Sequence, residues 1–395
     1  MQKPKVVFPL VEAGMGHIIP SNSIANAFEK KYGKYTEVSR PYFFKDSGDK
    51  ALIKMEQSFV KDVIRANKHT SWGMFETFMM DITNYKVLQR VFSAVQSKKM
   101  RQKLISRMES FRADLVLNTH ISTALIAKEV TNNKPIITVY NPDVMIQPFY
   151  HGYCDMVMVS SERGYDKVIG KFGYTDENLK LVTFPIREEA YKFSKDKKEN
   201  RKRLGLDEDK LTIVLFEGGY GLGKMKKICK RLLKTDLDAN VVAICGKNEK
   251  LYNDLKKLKP HPNIKFVVEG FCPCTLDYLA AADIFMGKSG ASSVAEPAFF
   301  GVAEIITKHA TTIEKNNSLY YVEDVKCALN VLNPSKAVKT VKKLDADRAL
   351  LKKMQDNALA IHDRYGSEEI ADHLWDLLCK KYPDLKVQYD IDNKK

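Results

Sequence analysis

The sequence has little cysteine: seven in 395 residues. The one close pair, Cys272-Pro-Cys274, has no second Cys/His pair at zinc spacing, which argues against a structural zinc site. Cysteine usage this ordinary predicts reduced thiols in a cytoplasmic protein. No uninterrupted apolar run approaches the roughly 18–20 residues of a membrane span. The apolar run in the opening Met1–Leu10 segment is far too short for a signal peptide. Short repeats and low-complexity tracts are absent. Apolar residues, by contrast, make up 44% of the chain, which excludes disordered, collagen-like and mini-protein classes. At about 150 residues per domain the length suggests two to three domains.

Charge is unbalanced. There are 64 Lys/Arg against 49 Asp/Glu, a net +15. Such a chain calls for an anionic neighbour: nucleic acid, a phosphorylated ligand or an anionic membrane surface. A nucleic-acid binder should interleave basic and aromatic residues along a recognisable module. The sequence has no such module, so the expectation is no nucleic acid.

Short Val/Ile/Leu-rich runs alternate with longer helical patterns. Candidate strands are Lys5–Leu10, Leu115–Asn118, Ile136–Tyr140, Met156–Val159 and Leu181–Thr183, then Leu211–Phe216, Val241–Cys245, Ile264–Val268, Ile284–Met286 and Glu304–Ile306. Continuous apolar runs of this kind are what parallel strands covered on both faces require. A strand followed by a glycine loop occurs twice, after Leu10 and after Phe216. The reading is therefore an α/β chain of two doubly wound, Rossmann-like domains facing across a cleft. The first spans 1–186. A charged linker follows at 187–210, its residues read as a solvated helix face. The second domain spans 211–365, and 366–395 is a C-terminal helix and tail.

Three loops carry the chemistry. Gly14 and Gly16, in Glu12-Ala-Gly-Met-Gly-His17, let the backbone turn tightly into a helix, whose N-terminus favours negative charge. The third glycine of a dinucleotide fingerprint is replaced by Ile19-Pro20, which argues against NAD. His17 stands at the mouth of the sheet, either capping a turn or serving as a general base. The second loop, Glu217-Gly-Gly-Tyr-Gly-Leu-Gly-Lys224, is denser in glycine than a turn needs. Such density suits close backbone approach to a phosphate, or else tight packing of helix on strand. It is not a P-loop, since no Ser/Thr follows Lys224 at the required spacing. The third is Met286-Gly-Lys-Ser-Gly-Ala-Ser-Ser-Val-Ala-Glu-Pro297. Ser289, Gly290, Ala291 and Ser292 would present amides to a diphosphate at a helix N-terminus. Glu296, one turn further in, could accept both hydroxyls of a ribose, or could simply favour the helix dipole.

The strings Gly218–Met225, Ile244–Leu251, Gly270-Phe271, Asp277–Asp283 and Lys288-Ser-Gly-Ala…Ala-Glu296 occur in that order. Together they resemble the monogalactosyl- and diglucosyl-diacylglycerol synthases. They resemble less closely the N-acetylglucosaminyl transferase of the lipid-linked peptidoglycan precursor. The resemblance covers roughly residues 5–30 and 110–325, and is strongest in the second half. It implies a GT-B glycosyltransferase with the nucleotide-sugar donor in the second domain. Gly219 and Gly221 would line the diphosphate and sugar, and Phe271 would lie beside the uracil. Ser289, Gly290 and Ala291 would cradle the diphosphate, and Glu296 would bind the ribose. Glu314 and Asn317 keep their places in a run near the sugar, where the family's glutamine is Ile313. The first domain would bind the acceptor, with His17 as general base. His120 and His151 match histidines of the plant-type members, or are core histidines. Asp143 lies two residues beyond the place of the family's Thr-Asp pair, where this chain has Asn141.

Residues 50–112 exceed a compact βα unit. They hold 13 Lys/Arg against 5 Asp/Glu. Leu52, Met55, Phe59 and Val63, then Trp72, Phe75, Phe78, Met79 and Ile82, recur at helical spacing, and a basic cluster runs from Lys98 to Arg107. This is the composition of an interfacial membrane contact, or of helices packed on the first domain with solvated basic faces. The resulting expectation is an inverting hexosyltransferase. It would use a UDP-sugar on a membrane lipid acceptor such as diacylglycerol, and would be peripheral on the cytoplasmic face of the membrane. A UDP-sugar 2-epimerase, or a transferase acting on a soluble acceptor, is the alternative. No obligatory metal is expected: the Asp-x-Asp pairs at 207/209, 236/238, 345/347 and 390/392 lie in helical or tail context, or at the wrong end of a strand.

Overall fold

The computed structural model describes residues 3–12, 14–75, 97–145, 154–171, 173–361 and 366–393. The chain divides into two compact units: one of 1–63, 78–185 and 364–395, the other of 64–77 and 186–363.

The first unit is built on six parallel strands: β1 (Lys5–Val7), β2 (Glu37–Ser39), β3 (Leu115–Asn118), β4 (Ile136–Asn141), β5 (Met156–Val159) and β6 (Leu179–Leu181), in spatial order β2-β1-β3-β4-β5-β6. Every residue of β3 and β5 is buried, which is why both read as unbroken apolar runs. The chain runs from β1 to β2 on one side, then crosses back to β3 on the other. The direction of winding therefore reverses between β1 and β3.

The second unit has six more: β7 (Leu211–Phe216), β8 (Ala239–Ile244), β9 (Ile264–Glu269), β10 (Ile284–Lys288), β11 (Ala303–Lys308) and β12 (Ala328–Asn330), in order β12-β11-β10-β7-β8-β9, all parallel. Winding reverses between β7 and β10. Ligands of open parallel sheets bind beyond the carboxyl ends of the strands at such a reversal. Each unit thus has one place its topology marks for chemistry.

Three boundaries differ from the sequence reading. The expected C-terminal helix, Gly366–Lys381, is not a separate element; it packs in the core of the first unit. Trp375 stacks on Tyr32 at 4.4 Å between ring centroids, and Asp372 accepts from both Lys31 and the Tyr32 hydroxyl at 2.6 Å. The charged stretch after Arg187 is not a loose linker either. Arg201 is buried, donating to the Ala281 and Glu208 carbonyls and to Asp283. Finally, the insert is shared. The helix Lys50–Lys68 seats Leu52 in the core of the first unit, whereas Ile64–Thr77 belong to the second.

Candidate functional site

At the reversal of the first sheet, Gly14 enters the helix Met15–Tyr32 at φ 122°, a conformation open to glycine and strained for other residues. The turn places His17 within hydrogen-bond reach of Thr119, just past β3. His17 Nδ1 lies 2.6 Å from the Thr119 carbonyl, and the Thr119 hydroxyl donates back to the His17 carbonyl at 3.0 Å. A carbonyl only accepts, so Nδ1 carries the proton and Nε2 is the basic nitrogen. His120 stands edge-on to His17, with 4.9 Å between centroids. Its Nδ1 accepts from the Ser122 amide, capping the short helix Ile121–Ala127. Burial, with the adjacent His17 adding to it, holds His120 well below the usual imidazole range, so it is neutral. The structure therefore brings His17 and His120 together but gives them different tasks. Asp143 follows β4 on a loop whose carbonyls at 143 and 145 are gathered by Asn141. His151 lies outside the described residues.

The reversal of the second sheet has a different character. Glu217 is buried after β7, and its carboxylate accepts the amides of Lys224 and Met225, capping the helix Met225–Leu232. Gly221 has φ 54°, and a Cβ there would come within 2.2 Å of the Cys245 carbonyl, so packing alone accounts for that glycine. Gly219 faces open space and can be approached by a ligand. At the end of β10, Lys288 lies against Gly218 and donates to Glu314 Oε1 at 2.8 Å. Glu314 Oε2 accepts the Ala310 amide at 2.7 Å. Burial pushes this carboxyl up, but Lys288 and that amide outweigh it and hold it below the ordinary glutamate value. The Ser289 hydroxyl donates to the Glu314 carbonyl at 2.7 Å and so accepts from His309 Nδ1 at 3.0 Å. Asn317 donates to the Ser289 carbonyl. Ser289, Glu314 and Asn317 thus brace the turn before the helix Ala291–Phe299. Gly290 is the N-cap of that helix, and the amides of Ala291 and Ser292 in its first turn have no intrahelical acceptor.

Glu296, inside that helix, is buried and gripped side-on by Arg187, through Nε to Oε1 at 2.8 Å and Nη2 to Oε2 at 2.9 Å. Any hydroxyl it takes must use the remaining lone pairs of its two oxygens. Phe271 is 71% exposed after β9; Lys247 Nζ lies 5.4 Å from its ring and 5.9 Å from that of Tyr220.

Sequence reasoning passed over Arg187, Glu217, Lys288, Lys308 and His309 as functional candidates. Glu217 and Lys288 stand inside quoted loops, but the partners that give these five residues their roles lie from seven to more than a hundred residues away, and no motif displays those pairings. Two other readings are corrected. Cys272 and Cys274 form a disulfide instead of staying reduced: the turn at Pro273 sets their Cα atoms 5.2 Å apart, within bridging range. The cluster from Lys98 to Arg107 is mostly not a free basic face. Arg101 pairs with Glu129 and Lys103 with Asp49, while Arg107 donates to the carbonyls of Tyr42 and Phe43.

Residues 223–373 match the glycosyltransferase family 28 C-terminal domain. The chain is similar to the processive diacylglycerol beta-glucosyltransferase of Bacillus licheniformis, 26% identical over 69% of this chain and 71% of that protein. It is also similar to monogalactosyldiacylglycerol synthase 1, chloroplastic, of Arabidopsis thaliana, 24% identical over 95% and 72%. Among solved structures, MurG of Acinetobacter baumannii covers 95% of this chain with all of its own length, at TM-score 0.62 and 14% identity. The S. aureus MnaA–UDP co-structure covers 97% of each chain at 0.60 and 15%. The fold is GT-B, as the motifs implied, and the resemblance to the diacylglycerol glycosyltransferases holds along the chain. The protein is an enzyme of the glycosyltransferase class.

Proposed function

We propose that the enzyme moves a hexosyl group from a UDP-sugar to a hydroxyl of a membrane lipid such as diacylglycerol, with inversion at the anomeric carbon. The observation that carries this is the tautomer of His17. Its Nδ1–H is spent on the Thr119 carbonyl, which leaves Nε2 free to take the acceptor's proton as that oxygen attacks from the face opposite UDP. An α-linked donor then gives a β-glycoside. Negative charge growing on the departing diphosphate is met in the second unit by the first-turn amides at Gly290–Ser292 and by Lys288. Phe271 takes the uracil and Glu296 the ribose. The charge is met without an obligatory metal.

The lipid acceptor is supported by the names of the relatives, diacylglycerol and monogalactosyldiacylglycerol enzymes, and the UDP donor by the UDP bound in MnaA. No described helix is long and apolar enough to cross a membrane. Contact with an anionic surface, on the cytoplasmic side, falls to the exposed Trp72 and Phe75 beside Arg65. The test is incubation with individual UDP-sugars and diacylglycerol vesicles, with and without a chelator, products being read by mass and anomeric configuration by NMR. A β-glycosyl lipid formed equally with chelator is expected. Epimerised UDP-sugar with no lipid product would point to the epimerase reading.

A further inference from the structure

At the end of β11, Lys308 is buried, a costly place for an ammonium unless its protons find acceptors. It finds two, from remote parts of the chain. Nζ donates to the Leu222 carbonyl at 2.8 Å, in the glycine loop after β7, and to the Asn67 carbonyl in the last turn of the helix Lys50–Lys68. Glu217 and Glu314 contribute favourable negative charge. A few residues further on, the insert comes close to the same strand end a second time. Gly73 lies so close to the Ala310 carbonyl that an added Cβ would come within 2.2 Å of it.

The loop's other fastenings leave a gap at Leu222. Gly219 and Gly221 are held by Lys247 and Asn248 on one flank, and Lys224 and Met225 by Glu217 on the other. Between them, Leu222 is tied through Lys308, whose second acceptor belongs to the insert and not to the sheet.

We infer that Lys308 is a positioning residue that fastens the glycine loop Glu217–Lys224 to the Ile64–Thr77 segment, so that the insert sets the shape of the donor loop. This rests on the reading of the second unit as the donor unit. An apolar side chain would leave both carbonyls without this donor, whereas a guanidinium could serve both.

The test compares Lys308→Met, Lys308→Arg and Gly73→Val with the parent enzyme. Gly73→Val pushes the insert off the Ala310 carbonyl and presses on Ala66, while the three atoms nearest its added Cβ belong neither to Lys308 nor to the loop. Lys308→Met is expected to raise the donor KM about tenfold, the order of one lost charge-assisted hydrogen bond, with kcat changed less than about threefold. Amides 219–224 should exchange faster in the ligand-free protein. Lys308→Arg should restore most of both, and Gly73→Val should move both in the direction of Lys308→Met. A Lys308→Met enzyme that melts earlier with donor KM and loop exchange unchanged would reduce Lys308 to a structural lysine. Parent-like loop exchange in Gly73→Val would remove the insert from the account. If the parent chain binds no UDP, the donor reading fails, and loop exchange still decides whether Lys308 and the insert hold the loop.

Discussion

The two sheets reverse their winding in the same way, yet the residues at the two reversals are chemically opposite. In the first unit two imidazoles meet, one neutralised by burial and the other fixed with Nε2 as its basic nitrogen. In the second unit, ammonium groups and carboxylates are buried together, and almost every polar atom is spent on another. The first can move a proton; the second can oppose charge on a ligand without reorganising. A transferase needs both, because a proton leaves the acceptor while charge collects on the leaving group. The same kind of topological reversal, in two sheets of different strand order, has been given two different chemistries by the residues at the strand ends.

The sharpest way to break the comparison is to remove His17. His17→Ala should lower turnover by about 10²–10⁴, the usual loss for a general base, while calorimetry finds UDP affinity unchanged. Loss of UDP binding in that variant would mean that the two reversals do not divide the labour. The converse experiment acts on the other unit. Lys288→Met leaves Glu314 buried without its cation, a change worth about 3–5 kcal/mol in destabilisation, and UDP affinity should fall with it. A Lys288→Met protein that keeps full UDP affinity would show that the network braces the fold and does not serve the ligand.

Much of this architecture is legible in the sequence, and the exceptions have physical reasons. Leu115–Asn118, Met156–Val159 and Leu211–Phe216 announce themselves because each is buried on both faces or nearly so. The edge strands Glu37–Ser39 and Ala328–Asn330 do not: each is three residues long, pairs on one side and carries exposed or half-buried positions. His17 was legible because glycines and a helix start surround it. Its partner Thr119 was not, since it lies 102 residues away. The basic cluster at 98–107 shows the limit of composition. Counting charges cannot reveal that Lys103 meets Asp49 across 54 residues, or that Arg101 meets Glu129.

A smaller effect sharpens the contrast between satisfied and unsatisfied charge within the second unit. Glu304 on β11 is fully buried, and neither carboxylate oxygen has a hydrogen-bond partner among the described residues. Burial raises its pKa well above the ordinary 4.5, so it folds as the neutral acid. The unfolded chain ionises it freely. The part of its cost that comes from ionisation is therefore absent below about pH 4.5 and grows as pH rises toward the folded-state value, on top of the pH-independent cost of an unpaired buried acid. Glu304→Ile should stabilise the protein by about 1–3 kcal/mol at neutral pH, the scale of one unsatisfied buried polar group. Thermal melts should show the gain shrinking as pH falls to 4. A gain that does not vary with pH would mean that burial does not raise this carboxyl's pKa in the folded protein.

The smallest effect concerns the insert, whose two ends belong to the first unit while Ile64–Thr77 belong to the second. With Arg101, Lys103 and Arg107 engaged inside the first unit, a purely electrostatic anchor at 98–107 has few free charges left. For the proposed membrane contact, the exposed aromatic pair in the second unit is the better candidate. Trp72 and Phe75 have ring centroids 6.2 Å apart, and the Arg65 guanidinium lies 4.5 Å from the Trp72 ring centroid. Aromatic rings at a bilayer interface bind through burial as well as charge, so salt should weaken binding only in part. Co-sedimentation with anionic vesicles should fall several-fold for Trp72→Ser/Phe75→Ser and hardly at all for Arg101→Ser/Lys103→Ser. If the second pair proves the more damaging, the basic cluster is the anchor, and its ion pairs must open at the membrane, where each freed cation would be worth about 1 kcal/mol.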